Sequence, residues 1–397
     1  MKIVIHHGLI IDGTGRSPKK GDIWIEDGLI STVGSSALSL NGADQVIDAN
    51  GQCVIPGLIN CHVHLTANAS HNSLRDMQSA DPCEATIIGV TVAQKLLKSG
   101  ITTVRDMGSK HYEVIAIREA IQKGLISGPA ILTAGRALLM TGGHFLGLEV
   151  DGVDACLAGT RSQILAGADF IKVVATGGLG KVPGAQELTY EEMRACFEVA
   201  LRAGKTCAAH AHGTSGIKDA VRAGVTSIEH GTLLDEEAMD MMIERETYLV
   251  PTFAAYSRIV KHGEEKGVPG AIIQSSHWVM EEKRPRFRDA VKKGVLIAFG
   301  TDGGSPINSH ENIVEECRCM LEGGMAPMEV ILSLTQNASR LLRSDSSVGT
   351  LEPGKQADIV LLGGNPLENV EELANVVAVI KKGQLAYTYP ESGSRRD

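Results

Sequence analysis

Between residues 57 and 346 short apolar segments alternate with stretches of helical period, a rhythm that few architectures other than a parallel α/β fold accommodate. The apolar segments are "GLINCHVHL" (57–65), "ITTVRDMG" (101–108), "AILTAGRAL" (130–138), "DFIKVVAT" (169–176), "TCAAHAHG" (206–213), "VTSIEHG" (225–231), "YLVPTFAA" (248–255) and "VLIAFGTD" (295–302). Helical period fills the gaps, as in "ATIIGVTVAQKLLKSG", "VIAIREAIQKG" and "TYEEMRACFEVALRAGK". The last of these opens with Thr189 three residues before Glu192, a capping-box pattern. Gly100, Gly204, Gly224 and Gly294 stand where a helix hands over to the next strand. Eight such units predict a (β/α)8 or TIM barrel, whose active site lies at the C-terminal ends of its strands. An open doubly wound sheet is the alternative, but no strand is followed by GxGxxG. The glycines of "TGGLGKVPG" (176–184) fit neither that fingerprint nor a P-loop and are expected to mark a mobile loop.

The two ends of the chain carry a different period. "KIVIHHGLII", "GDIWIEDGLISTVG" with its Asp27-Gly28 turn, and "QVIDANGQCVI" alternate apolar and polar residues, as do "ADIVLLGGNP" and "VVAVIKKGQLAYT". One small sheet assembled from both termini is expected, dividing the chain into 1–56, 57–346 and 347–397.

With 43% hydrophobic and 21% charged residues, a chain of 397 residues can bury a sizeable core. The net charge of −9, without any run of Lys and Arg, gives no reason to expect nucleic acid or a membrane surface as partner. The N-terminus lacks the basic-then-apolar pattern of a signal peptide, and no apolar stretch is long enough to span a bilayer, so a cytoplasmic location is expected. The eight cysteines are scattered and read as reduced thiols. Cys317 and Cys319 fall in an expected helix (309–323) and lack the second pair of a structural zinc site. The charge-rich stretch 257–286 is a candidate lid or homo-oligomer contact.

Side chains alternate along a strand, so His62 and His64 point to one side, as a chelating pair must. Alone, this pair reads equally well as two hydrogen-bonded core histidines. The other strand ends shift the balance, because His210 closes the fifth segment, His230 the sixth and Asp302 the eighth. Imidazoles and a carboxylate are the usual ligands of catalytic zinc, and five of them call for two ions or one crowded one. The fourth segment places Lys172 among apolar neighbours, where an unpaired ammonium is costly, so it is expected to be neutral, paired or modified. Reaction with carbon dioxide would make it a carbamate, an anion with two oxygens able to bridge two cations; a salt bridge is the plainer alternative.

Taken together, "PGLINCHVH", the strand lysine, the histidines closing two strands, "GTD", and the late "GTLEPGKQADIVLL" resemble the amidohydrolase superfamily over essentially the whole chain. The resemblance is closest to its imidazolonepropionase-related branch of prolidase-like and Xaa-Arg-type dipeptidases, through "AGRALLMTGGHF", "IKVVATGG", "AAHAHG" and "IEHG". It implies a distorted barrel with a flanking β-sandwich and a centre of two divalent ions, zinc foremost. Carried over residue by residue, it implies that His62, His64 and Asp302 bind the more buried ion, that His210 and His230 bind the other, and that carboxylated Lys172 bridges them. Asn60 departs from the pattern, standing where many relatives carry Asp, and an amide supplies no anion to orient a ligand.

The implied reaction is hydrolysis of the amide bond of a dipeptide or N-acyl amino acid by a hydroxide shared between the ions, with Asp302 as general acid and base. Hydrolysis of a cyclic amide or urea, and deamination, are alternatives on the same fold, although Lys172 argues against a deaminase. A non-catalytic relative would have lost ligands that this chain keeps. The resemblance gives His144, on the glycine-rich "MTGGH", a contact with the substrate carbonyl or carboxylate, against the plainer reading of a loop histidine in solvent. His212 shares a strand face with His210 and is a candidate specificity contact, while Arg136 suits either a substrate carboxylate or a structural one. Glu229 is assigned to the face opposite His230, as a structural residue. Manganese, cobalt or iron suit these ligands as well as zinc does. Specificity is expected from the loops 66–84, 140–153, 177–188 and 255–285.

Overall fold

The computed structural model of the chain describes residues 1–34, 40, 42–178 and 184–389; residues 179–183 of the expected mobile loop lie outside them. The middle of the chain is α/β with parallel strands. Leu58–Val63 pairs with Ile101–Asp106, which pairs with Ala130–Thr133. A second run joins Phe170–Val174, Thr206–Ala211, Ser227–His230 and Tyr248–Val250 in chain order, with Ala137–Leu139 and Gly147–Glu149 at its other edge. Every residue of Ile101–Asp106 and of Phe170–Val174 is buried. Strands covered on both faces have no solvent side, so even their polar residues, Arg105, Asp106 and Lys172 among them, are buried.

The two runs touch at both edges. On one side the Asp169 amide donates to the Thr133 carbonyl at 2.8 Å. On the other, the segment 297–303 bridges Leu249 through Ile297 and Val63 through Gly303, and the Cys61 amide donates to the Phe299 carbonyl at 2.8 Å. Three expected strands are shorter than their apolar runs. "AILTAGRAL" divides at Gly135 (φ +67°), where the chain turns before Ala137. "YLVPTFAA" ends at Pro251, which has no N–H to give, and the helix Phe253–His262 begins after Thr252. "VLIAFGTD" forms bridges but no regular strand, because the Phe299 amide leaves the ladder for the Ser333 carbonyl and Asp302 adopts φ +55°.

Helices pack outside these strands, and their ends follow the sequence signals. Thr189 and Glu192 form the expected capping box on Tyr190–Arg202, a device contributing about 1 kcal/mol. Gly100, Gly204, Gly224 and Gly294 all take positive φ. The charge-rich stretch 257–286 falls on two packed helices, Phe253–His262 and Gly270–Lys293. Cys317 and Cys319 are buried in the helix Val314–Glu322, and all eight cysteines are free thiols.

Strands from both ends of the chain join one eight-stranded sheet, in which Cys53–Pro56 runs antiparallel to Ile359–Leu362. Its hairpins turn at Asp27-Gly28 and Lys382-Gly383, where both residues of each pair have positive φ, the geometry that suits the strand twist. Ile3, Ile5, Ile23, Val54, Ile359 and Ile380 form a core distinct from that of the α/β region. No helix is long and apolar enough to cross a membrane among the described residues.

Candidate active site

The C-terminal ends of the parallel strands bring two groups of ligating side chains together. His62 and His64 face one side with ring centroids 5.5 Å apart, and their Nε2 atoms lie 3.4 and 3.3 Å from one Asp302 oxygen. His210, His212 and His230 form the second group, with one ligating atom of each within 4.8 Å of the others. The ring centroids of His62 and His230 are 5.1 Å apart, so the groups adjoin. Lys172 lines the same cavity, 4% exposed, and its Nζ has no hydrogen-bond partner among the described residues; nor has His210 Nε2.

Electrostatics suit these groups to holding cations. Burial, then the neighbouring histidines and lysines, hold His210, His212 and His230 well below the ordinary imidazole range, so all three are neutral. Burial pulls Lys172 down to about 8. It pushes the Asp302 carboxyl up, but the bonds from His62 and His64 outweigh it and keep Asp302 ionised. Imidazoles, a carboxylate and two buried nitrogens without partners among the described residues fit a divalent metal.

His62, His64 and His230 are held from behind. His64 Nδ1 lies 3.2 Å from the Gly108 carbonyl and His230 Nδ1 lies 2.7 Å from the Thr252 hydroxyl. His62 Nδ1 meets Glu229, at 2.8 Å, which corrects the assignment of Glu229 to the outer face. Ser227 and Glu229 alternate onto the interior side, and it is His230 that breaks the alternation, with φ +74°. Glu229 also takes Arg105 Nη2 at 2.8 Å, and Arg105 Nε donates to the Cys61 carbonyl, tying this carboxylate to the His62 strand. Burial pushes Glu229 up, but Arg105 and then His62 outweigh it and bring the carboxyl down to about 2. Asn60 does orient the site without a charge: its carbonyl accepts from the His62 and Thr301 amides, and its Nδ2 donates to the Thr301 hydroxyl at 2.8 Å. His310, given no part by its sequence position, sits beneath His64, 2.9 Å from that residue's carbonyl.

The other candidates separate. His144 lines the cavity, its ring 4.7 Å from that of His210. His212 stacks on His230 at 4.9 Å, with Nδ1 on the Thr232 hydroxyl and Nε2 on the Tyr256 hydroxyl, so both nitrogens are engaged inside the protein. Arg136 Nη2 donates to the Gly147 carbonyl at 2.6 Å, and Arg136 does not line the cavity. The cavity encloses about 620 Å³ of empty space, open mouth included. Its lining also has an apolar part, Ala67, Leu74, Met77, Phe145 and Pro306, beside Ser73 and Ser305. Pro306 comes from a loop outside the expected specificity loops.

Residues 53–386 match the model of the Amidohydrolase family. The ochratoxinase of Aspergillus niger is 29% identical over 429 aligned positions, which span 96% of this chain and 86% of the ochratoxinase. The imidazolonepropionase of Brevibacillus brevis is 24% identical, over 86% of this chain and 83% of its own. Among solved structures, a Xaa-Pro dipeptidase with methionine bound in its active site superposes with a TM-score of 0.90 at 35% identity, covering 98% of this chain and 100% of that one.

Proposed function

We propose that this chain, which belongs to the amidohydrolase family, hydrolyses the amide bond of a dipeptide or N-acyl amino acid at a centre of two divalent cations, most suitably zinc. One observation carries the reading: Lys172, a buried amine without a hydrogen-bond partner among the described residues, lies in the cavity that both histidine groups line. A buried ammonium there opposes any cation, whereas the neutral amine can bond the carbon of carbon dioxide, release a proton and become a carbamate. His62, His64 and Asp302 would then hold one ion, His210 and His230 the other, and the carbamate both. The contacts between the two parallel runs support closure into a (β/α)8-type barrel over 57–346, with the sheet of 1–56 and 347–397 as a flanking β-sandwich domain.

Bound cations supply Lewis acidity for the attacking water and for the scissile carbonyl. The chain's own groups do the rest. Asp302, kept ionised by His62 and His64, takes a proton from the attacking water and passes it to the leaving nitrogen. His144 contacts the carbonyl or the substrate carboxylate. Glu229 and Arg105 fix the His62 ring, and Asn60 fixes the backbone that carries it. A deaminase reading gives Lys172 nothing to do.

The test is metal quantitation alongside release of amino acid from Xaa-Pro, Xaa-Arg, Xaa-hydrophobic and N-acyl substrates; release from none by zinc-loaded protein overturns the reading. The apolar part of the lining adds a preference. An apolar side chain beside the scissile bond is expected to outperform alanine about tenfold or more in kcat/KM. Met77→Arg is expected to remove most of that advantage, measured as the ratio of two matched dipeptides.

A further inference from the structure

Helix Gly270–Lys293 buries a lysine for which the catalytic reading has no use. Lys283 is 1% exposed, and its ammonium donates to the Pro251 carbonyl. It lies 4.6 Å from the Phe253 ring centroid and 5.1 Å from that of Tyr256. Glu316, on Val314–Glu322, is also fully buried and accepts from the Ala254 amide at 2.6 Å. The two side chains therefore grip one turn, 251–254, from opposite ends. One holds a carbonyl that opens it, and the other an amide of the first turn of Phe253–His262.

Stability does not account for them. Burial drags the Lys283 ammonium down and pushes the Glu316 carboxyl up, and each is held back by the charge of the other. An apolar pair of the same volume commonly serves a core as well or better. What the turn carries is more telling. Thr252 sits at φ +51°, a left-handed conformation that a β-branched residue adopts only when its surroundings impose it. In that conformation its hydroxyl reaches His230 Nδ1 and leaves Nε2 as the ligating atom. Tyr256, one turn along the helix, bonds His212, which stacks on His230.

We infer that Lys283 and Glu316 are positioning residues, a clamp on the 251–254 turn that holds Thr252 in its strained conformation and thereby aims the His230 imidazole at the metal centre. This rests on the reading of His230 as a metal ligand. The clamp acts through the backbone, so it governs how tightly the second ion is held, and it reaches catalysis only through that ion.

The double variant Lys283→Met/Glu316→Leu removes both charges at similar volume, so it is expected to fold with a Tm near that of the wild type. Its zinc affinity, measured against a competing chelator, is expected to fall about ten- to hundredfold, with kcat reduced and KM little changed. Lys283→Arg, which keeps a donor for the Pro251 carbonyl, is expected to retain more zinc than Lys283→Met. Glu316→Gln provides a milder change in the same direction. Zinc affinity within twofold of wild type in both the folded double variant and Glu316→Gln overturns the clamp. Zinc binding does not depend on the substrate, so a wild type that binds zinc yet cleaves no amide sinks the catalytic proposal alone. A wild type that binds no zinc sinks both.

Discussion

Replacing Lys172 with methionine is expected to lower kcat/KM for amide hydrolysis by about 10³-fold or more while leaving the metal-free fold at least as stable as the wild type. The activity loss follows from losing a ligand shared by both ions, which removes several kcal/mol of charge stabilisation at about 1.4 kcal/mol per tenfold. The stability gain follows from burial: a polar atom without a partner costs about 1–3 kcal/mol, and the methionine has none. Opposite movements of activity and stability mark a residue kept for function. A pH signature accompanies them. In the metal-free protein Lys172 titrates at about 8, against an ordinary value of 10.5. Between those values the unfolded chain binds a proton that the folded chain has released, so unfolding free energy rises with pH, by up to about 3 kcal/mol. Urea titrations of metal-stripped protein at several alkaline pH values should show this rise in the wild type and not in the variant. A Lys172→Met protein with near wild-type turnover would end the two-metal reading.

The side chains around the cavity are legible in the sequence because each stands at the end of an apolar run, where a polar residue has no packing reason to be. His62, His64, Lys172 and His210 obey strand alternation, so counting by twos finds them. His230 and Asp302 do not: both have positive φ, which turns each side chain out of the alternation and into the cavity. Counting by twos from His230 consequently puts Glu229 outside, when it is His230 that has swung inward. Arg105 is hidden for a related reason, since an arginine in an apolar strand gives no hint that its charge is met by a carboxylate on Ser227–His230, in the other run of strands. The terminal sheet is legible through its alternating segments and through the Asp27-Gly28 turn, which dictates a hairpin. The segment 295–302 reads as a strand from its apolar residues and does bond both flanking strands, through Leu249 on one side and Cys61 and His62 on the other, but the Phe299 amide goes to the Ser333 carbonyl, a contact that no local pattern encodes. Arg136 and His212 illustrate the same limit: residue type suits a ligand, and only the fold shows that Arg136 turns Nη2 to the Gly147 carbonyl and that Thr232 and Tyr256 engage both nitrogens of His212.

Glu229→Gln is expected to cost about 3–5 kcal/mol of stability and, separately, to weaken zinc binding about tenfold or more. The stability loss belongs to Arg105, which is 1% exposed and would keep its charge in the interior without a counter-charge. The zinc loss belongs to His62, whose Nδ1 would face a neutral amide and whose Nε2 would be a poorer donor to the metal. The double variant Arg105→Met/Glu229→Gln separates the two: with no unpaired charge left, stability should largely return, while zinc affinity stays low. Acid titration checks the same assignment. The Glu229 carboxyl is held at about 2, against an ordinary 4.5, so its contribution is fully present above pH 4.5 and is lost as pH falls toward 2. The stability gap between wild type and Glu229→Gln should therefore narrow over that interval. Undiminished zinc affinity in Glu229→Gln would show that the contact with His62 is only packing.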